Sequence, residues 1–146
     1  MTNMETKFNF NSAICTSVDQ SRRLMELGLK KETADMCWQT ITLNGEAITY
    51  PSQDVWINGS IITNNHFPAW SLGRLWELLD KIKKYEGEDE LSYPRISLVE
   101  EDVIVENPKS LWVRQSFISP KGVYENIINC LEELIKRGYF NKEYLV

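Results

Sequence analysis

The sequence predicts a single α+β domain, a mainly antiparallel sheet packed against two or three helices. Three observations carry this. Segments with apolar residues three and four apart are interspersed with segments of period two. Asn44-Gly45 separates two β-type runs, as a tight hairpin turn requires. From Pro94 onward, three short alternating runs lead into one long amphipathic run. The chain of 146 residues suits one core, since two independent cores would each be small and marginal.

Residues 1–11 are polar and aperiodic apart from Phe8 and Phe10, and read as a loose arm or one short edge strand. Ser17 with Gln20 three positions on forms a capping-box pattern. Val18, Leu24, Met25 and Leu27 supply the apolar stripe of a short helix, and Gly28 is placed to end it. Leu29 to Met36 reads as a turn with one more helical turn. Trp38 to Tyr50 is the hairpin, broken at Pro51 and Ser52. Val55 to Thr63 is expected as a further strand interrupted by Asn58-Gly59, and Asn64 to Pro68 as a loop.

Ser71 is the expected cap of a second helix, with Leu72, Leu75, Trp76, Leu79 and Ile82 on one apolar face. Lys81, Lys83 and Lys84 fall at its end, where positive charge complements the helix dipole. The period then changes to two. Ile96 and Leu98, then Val103-Ile104-Val105, then Leu111, Val113, Gln115 and Phe117 mark three antiparallel strands. Ser119 and Pro120 are expected to open the last helix, and Gly138 to close it. The tail, Tyr139 to Val146, is expected to fold back as an aromatic lid. The expected core is Leu24, Leu72, Leu75, Trp76, Leu79, Ile96, Leu98, Val113, Ile127, Leu131 and Leu134.

Charge is unevenly spread. The formal charge is −5, and between Glu86 and Glu106 eight acidic residues face one base, Arg95. Such a face repels a phosphate backbone and makes nucleic acid an unlikely partner. It reads as a solvated edge or as a docking site for a basic partner. Cys15, Cys37 and Cys130 are widely spaced with no CxxC, which points to a reducing, cytoplasmic setting. No secretory pattern opens the chain, and no apolar run approaches the roughly 20 residues of a membrane span.

Two segments, Thr33-Ala34-Asp35-Met36-Cys37-Trp38 and Pro68-Ala69-Trp70-Ser71-Leu72-Gly73-Arg74-Leu75-Trp76-Glu77-Leu78-Leu79, carry a resemblance. They resemble a family of short uncharacterised proteins carried by Bacteroides-type gut bacteria, their prophages and other mobile elements. Asn126 to Tyr139, closed by Lys136-Arg137-Gly138-Tyr139, is similar to the end of those chains. The resemblance spans most of residues 12–140. It implies a phage-related genomic setting and brings no activity, ligand or catalytic residue with it.

Signatures of chemistry are sparse. One histidine, His66, and three scattered cysteines make no metal-ligand pattern, so no metal and no cofactor is expected. No GxSxG occurs, and the seven glycines are isolated rather than gathered in a phosphate-cradling loop. Asp35 and Asp54 are the candidate acid/base carboxylates of a small hydrolase or transferase. Each sits beside apolar or aromatic residues, where a carboxyl pKa rises. Trp112 and Arg114 share a strand face by parity and are the candidate stacking pair for single-stranded nucleic acid.

The reading that best fits this scarcity is a non-enzymatic accessory or adaptor protein. It would act by protein–protein contact with another protein or with a second copy of itself. Its candidate contact residues are the tryptophans Trp38, Trp56, Trp70 and Trp112, with Arg114. Some of Trp38, Trp56 and Trp70 should then form an exposed patch of about several hundred Å².

Overall fold

A computed structural model describes residues 13–53, 56–57, 60–61, 66–81, 94–106 and 114–146. The N-terminal arm, Asp54, Asn58-Gly59, Ile82 to Tyr93, Leu111, Trp112 and Val113 lie outside the described residues, as do the side chains of Trp56 and Arg114. Among the described residues the fold is α+β, with antiparallel sheets packed against three helices. The strands do not form one sheet as expected. The described residues hold a sheet of order β2-β1-β5, a two-stranded hairpin β3-β4, and a sheet of order β6-β7-β8.

The first helix, α1, spans Val18–Glu26. Ser17 and Gln20 cap it reciprocally: Ser17 Oγ accepts the Gln20 amide at 3.1 Å, and Gln20 Oε1 accepts the Ser17 amide at 2.9 Å. Gly28, at φ +99°, turns the chain away in a conformation that a side chain would strain. A 3₁₀ turn over Lys31–Thr33 follows.

Strands β1 (Met36–Leu43) and β2 (Glu46–Ser52) pair in register from Leu43↔Glu46 to Cys37↔Ser52. Asn44 and Gly45 both take positive φ, 53° and 82°, which is the backbone of a type I′ turn. Pro51 does not break the strand, because β2 is an edge and proline costs no ladder bond there. The same reason corrects the expected loop over Asn64 to Pro68. His66–Ala69 is strand β5, the opposite edge, with Pro68 across from Cys37. Of the strand expected over Val55 to Thr63, the described residues form two short pieces, β3 (Trp56–Ile57) and β4 (Ser60–Ile61), paired antiparallel.

Helix α2 spans Leu72–Leu79, capped by Ser71 Oγ accepting the Arg74 amide at 3.2 Å. Strands β6 (Arg95–Val99), β7 (Asp102–Glu106) and β8 (Arg114–Phe117) form the expected C-terminal sheet. Helix α3 spans Val123–Lys136 and begins later than expected. Ser119 caps a turn instead, accepting the Lys121 amide on Oγ and the Gly122 amide on its carbonyl. Gly122, at φ +100°, is the residue that enters the helix.

One main core joins these parts. Ile127, Ile128, Leu131 and Leu134 of α3 meet Val103 and Val105 of β7, with Phe117 of β8 packed against them. Leu75, Leu78 and Leu79 of α2, Leu24 of α1, Trp70 and Phe140 close the same cluster. Full burial of such side chains contributes about 1.5–3 kcal/mol each. Three expected core residues are corrected. Leu72, Trp76 and Leu98 are all exposed. Helix α2 is rotated so that Leu75, Leu78 and Leu79 face α3, which leaves Leu72 and Trp76 on its open side.

Arg23 ties α1 to α3 by bonding Glu125, Asn129 and Glu132, the last two at 2.6 and 2.5 Å. Glu132 also holds Lys136, and these two cations keep its carboxyl below the usual range, Lys136 more than Arg23. Arg23 is a third exposed, so the pairs orient the helices more than they stabilise them. No helix among the described residues is long and apolar enough to cross a membrane.

Candidate functional site

Asp35 stands just after the 3₁₀ turn, and its carboxylate is taken up by Ser71. Oδ1 accepts the Ser71 amide at 2.8 Å and Oδ2 accepts the Ser71 hydroxyl at 2.5 Å. Ser71 in turn caps α2, so the carboxylate anchors the start of that helix. This is bonding suited to a structural carboxylate, and it occupies both oxygens that acid/base work would need. Asp54, its expected counterpart, lies outside the described residues.

Trp70 is fully buried, which corrects its expected place in an exposed patch. Its indole Nε1 donates to Thr33 Oγ1 at 2.9 Å, and its amide donates to Thr16 Oγ1 at 3.0 Å. The Thr16 amide donates back to the Trp70 carbonyl at 2.9 Å. Trp70 thus joins β5 to the lead-in of α1 and to the 3₁₀ turn. Trp38 is half-buried against Cys15, Met36 and Ala69, and its Nε1 donates to the Thr16 carbonyl at 2.8 Å. Arg114 is placed in β8 across from Glu106 by backbone register.

The thiols are all buried. Burial, then the Asp35 and Cys37 charges, pushes Cys15 up to about 11. Burial, then Glu133, pushes Cys130 up to about 12. Neither is a ready nucleophile, because the thiolate is the reactive form. We expect a thiol-alkylating reagent at pH 7.5 to label none of Cys15, Cys37 and Cys130 in the native protein and all three after unfolding. The unfolded chain releases the Cys15 and Cys130 protons near pH 9, whereas the fold holds them higher. The contribution of these two thiols to stability is therefore complete below pH 9 and declines as pH rises through 11 to 12. Denaturant midpoints measured across that range check the sign. Among the described residues no group of three or more His, Cys, Asp or Glu could hold a metal ion.

The open apolar surface lies elsewhere. Among the described residues β5 pairs with β1 from Met36 to Gln39, and beyond that point β1 is paired with β2 alone, as a two-stranded arm. Every residue from Ile41 to Tyr50 is exposed. Register places Tyr50, Ile41, Ile48 and Leu43 on one face of the arm, and Thr40, Thr49, Thr42 and Ala47 on the other. Leu43, nearest the tip on the apolar face, is 53% exposed. The sequence places this hairpin over Trp38 to Tyr50 but does not single out Ile41, Leu43, Ile48 and Tyr50 as contact residues, although the alternation of Ile41 and Leu43 with Thr40 and Thr42 is their signal.

Among the described residues, a groove of about 430 Å³ is lined by Trp76, Leu79, Asp80, Pro94, Arg95 and Ile96. It runs between the end of α2 and strand β6. No family model, curated protein or solved structure matches the chain.

Proposed function

We propose that this protein is a non-enzymatic accessory or adaptor protein, of the kind a phage or mobile element carries, working through protein–protein contact. The observation that supports this is the projecting arm with Ile41, Leu43, Ile48 and Tyr50 on one uncovered face. An isolated two-stranded hairpin is marginal in water, and four large apolar side chains on it gain free energy when covered. Covering their exposed parts is worth roughly 1 kcal/mol each, about 4 kcal/mol together. That only reaches the low end of the cost of association, about 4–15 kcal/mol. The contact therefore also draws on the backbone of β1 past Gln39, which among the described residues pairs with β2 alone.

The triple substitution Ile41→Thr, Leu43→Thr and Ile48→Thr tests the arm while keeping residues that suit a strand. We expect its thermal stability to stay within about 1 kcal/mol of the parent. In affinity capture from the native host, a partner recovered with the parent should fall at least tenfold with the variant. A parent that recovers no specific partner, or a variant that recovers it equally well, overturns the reading.

A further inference from the structure

The apolar face of the β1–β2 arm is built in three rows. Strand register sets Leu43 beside Glu46 at the tip, Ile41 beside Ile48 in the middle and Gln39 beside Tyr50 at the base. Directly paired residues share a face of the ribbon, so an acid, an amide and a phenol stand among the apolar side chains. Glu46 is the one charged residue between Trp38 and Ser52, in a chain that is 25% charged. Among the described residues, neither its carboxylate nor the Tyr50 hydroxyl makes a hydrogen bond or ion pair. On the opposite face the hydroxyls of Thr40 and Thr49 bond each other at 2.9 Å. Unmet bonding capacity therefore lies on the apolar face, at its two ends.

Two copies of this face are complementary in one alignment. With strands antiparallel and a two-fold axis through the middle row, Ile41 and Ile48 lie over the same residues of the other copy. The tip row of each copy then lies over the base row of the other. Each Glu46 carboxylate meets the partner's Tyr50 hydroxyl, which donates a charge-assisted hydrogen bond, and each Leu43 meets the partner's Gln39. Turned tip on tip, the same faces would lay each carboxylate on a leucine, desolvated and with no donor. From this self-complementarity we propose that the arm's apolar face is covered by the same face of a second copy, giving a two-fold dimer that closes on itself. This dimer rests on the reading of the arm as a contact surface and names the protein it contacts. The face is about 10 Å wide and about 14 Å long, so each copy covers on the order of 300–500 Å² of accessible surface. Stable complexes bury about 800 Å² per partner, so the dimer is weak and exchanges readily. Each copy carries a charge of −5, which also drives the two apart at low salt.

Sedimentation equilibrium of the full chain from about 10 to about 500 μM tests the dimer. We expect the mass to rise from that of one chain toward that of two, with a Kd of about 50–500 μM that tightens as salt rises. Ile48→Lys brings like charges together on the two-fold axis and should leave the chain monomeric throughout. Thr42→Lys makes the same charge change on the opposite face and should dimerise like the parent, which separates a lost contact from a damaged arm. Tyr50→Phe and Glu46→Gln should each weaken the dimer about three- to tenfold, and together little more than either alone, because they remove the two ends of one hydrogen bond. In affinity capture, untagged copies of the chain should come down with the parent and be lost with Ile48→Lys. A parent that keeps the monomer mass at about 500 μM, an Ile48→Lys chain that dimerises, a Thr42→Lys chain that does not, or independent effects of Tyr50→Phe and Glu46→Gln overturns the proposal. A monomeric parent would do so without touching the arm's contact with a different protein, which capture from the host judges separately.

Discussion

Trp70→Ala is expected to destabilise the fold by about 3–5 kcal/mol and to lower Tm on the order of 10 °C. The residue is wholly enclosed by the main core, so truncation removes its transfer free energy and leaves a large cavity. The loss goes beyond packing, because Thr33 Oγ1 then has no indole N–H to accept from. The backbone bonds with Thr16 survive the truncation, but the cavity opens beside them. Trp76→Ala provides the contrast. Its side chain stands on the open side of α2, and its truncation should cost roughly a third as much or less. Paired chemical-denaturation curves separate the two cases. Equal losses at both positions would mean that Trp70 is not the enclosed residue described here.

That contrast shows which features the sequence can carry. Much local chemistry was legible: the Ser17–Gln20 cap, the Asn44-Gly45 turn and the Gly28 and Gly138 helix ends each depend on residues within a few positions, whereas the Ser119-Pro120 start of α3 was misplaced by three residues. The three C-terminal strands were legible because their alternation is long enough to distinguish from a helix. Strand β5 was not, since its only reason to exist is pairing with β1, some 30 residues earlier, and Pro68 argues against a strand unless the edge position is known. The apolar face of α2 was visible in width but not in direction. Leu75, Leu78 and Leu79 are the buried set because α3 lies on that side, and nothing local to α2 records this.

The candidate site was less legible for the same reason. A tryptophan count measures apolar area and is silent on what covers it. Trp70 is covered and Trp76 is not. Asp35 drew notice for its apolar neighbours in sequence, while its partner is Ser71, brought to it by the β1–β5 pairing. The exposure of the arm, from Ile41 to Tyr50, is likewise set by what packs on it, which the arm's own residues do not encode.

Phe140→Ala is expected to cost as much as Trp70→Ala, about 3–5 kcal/mol, although it lies in the last seven residues of the chain. Gly138, at φ +76°, ends α3 and turns the chain back over the core. Phe140 then enters the main cluster and is 1% exposed, with Tyr144 edge-on to its ring at 6.2 Å between centroids. Backbone bonds hold the tail beyond that anchor. The Asn141 amide donates to the Lys81 carbonyl, the Lys30 amide to the Tyr144 carbonyl, and the Val146 amide to the Gly28 carbonyl. Leu145 bridges Leu29 antiparallel, so the tail connects the ends of α1 and α2. Termini commonly fray, and their substitution is then cheap. Here the anchor side chain is enclosed, and its removal should loosen both helix ends together. Amide exchange of Lys30, Asn141 and Val146 should speed up at least tenfold in Phe140→Ala, alongside the fall in Tm. A variant that keeps parental stability and slow exchange at these three amides would show the tail to be an ornament on the fold rather than part of its core.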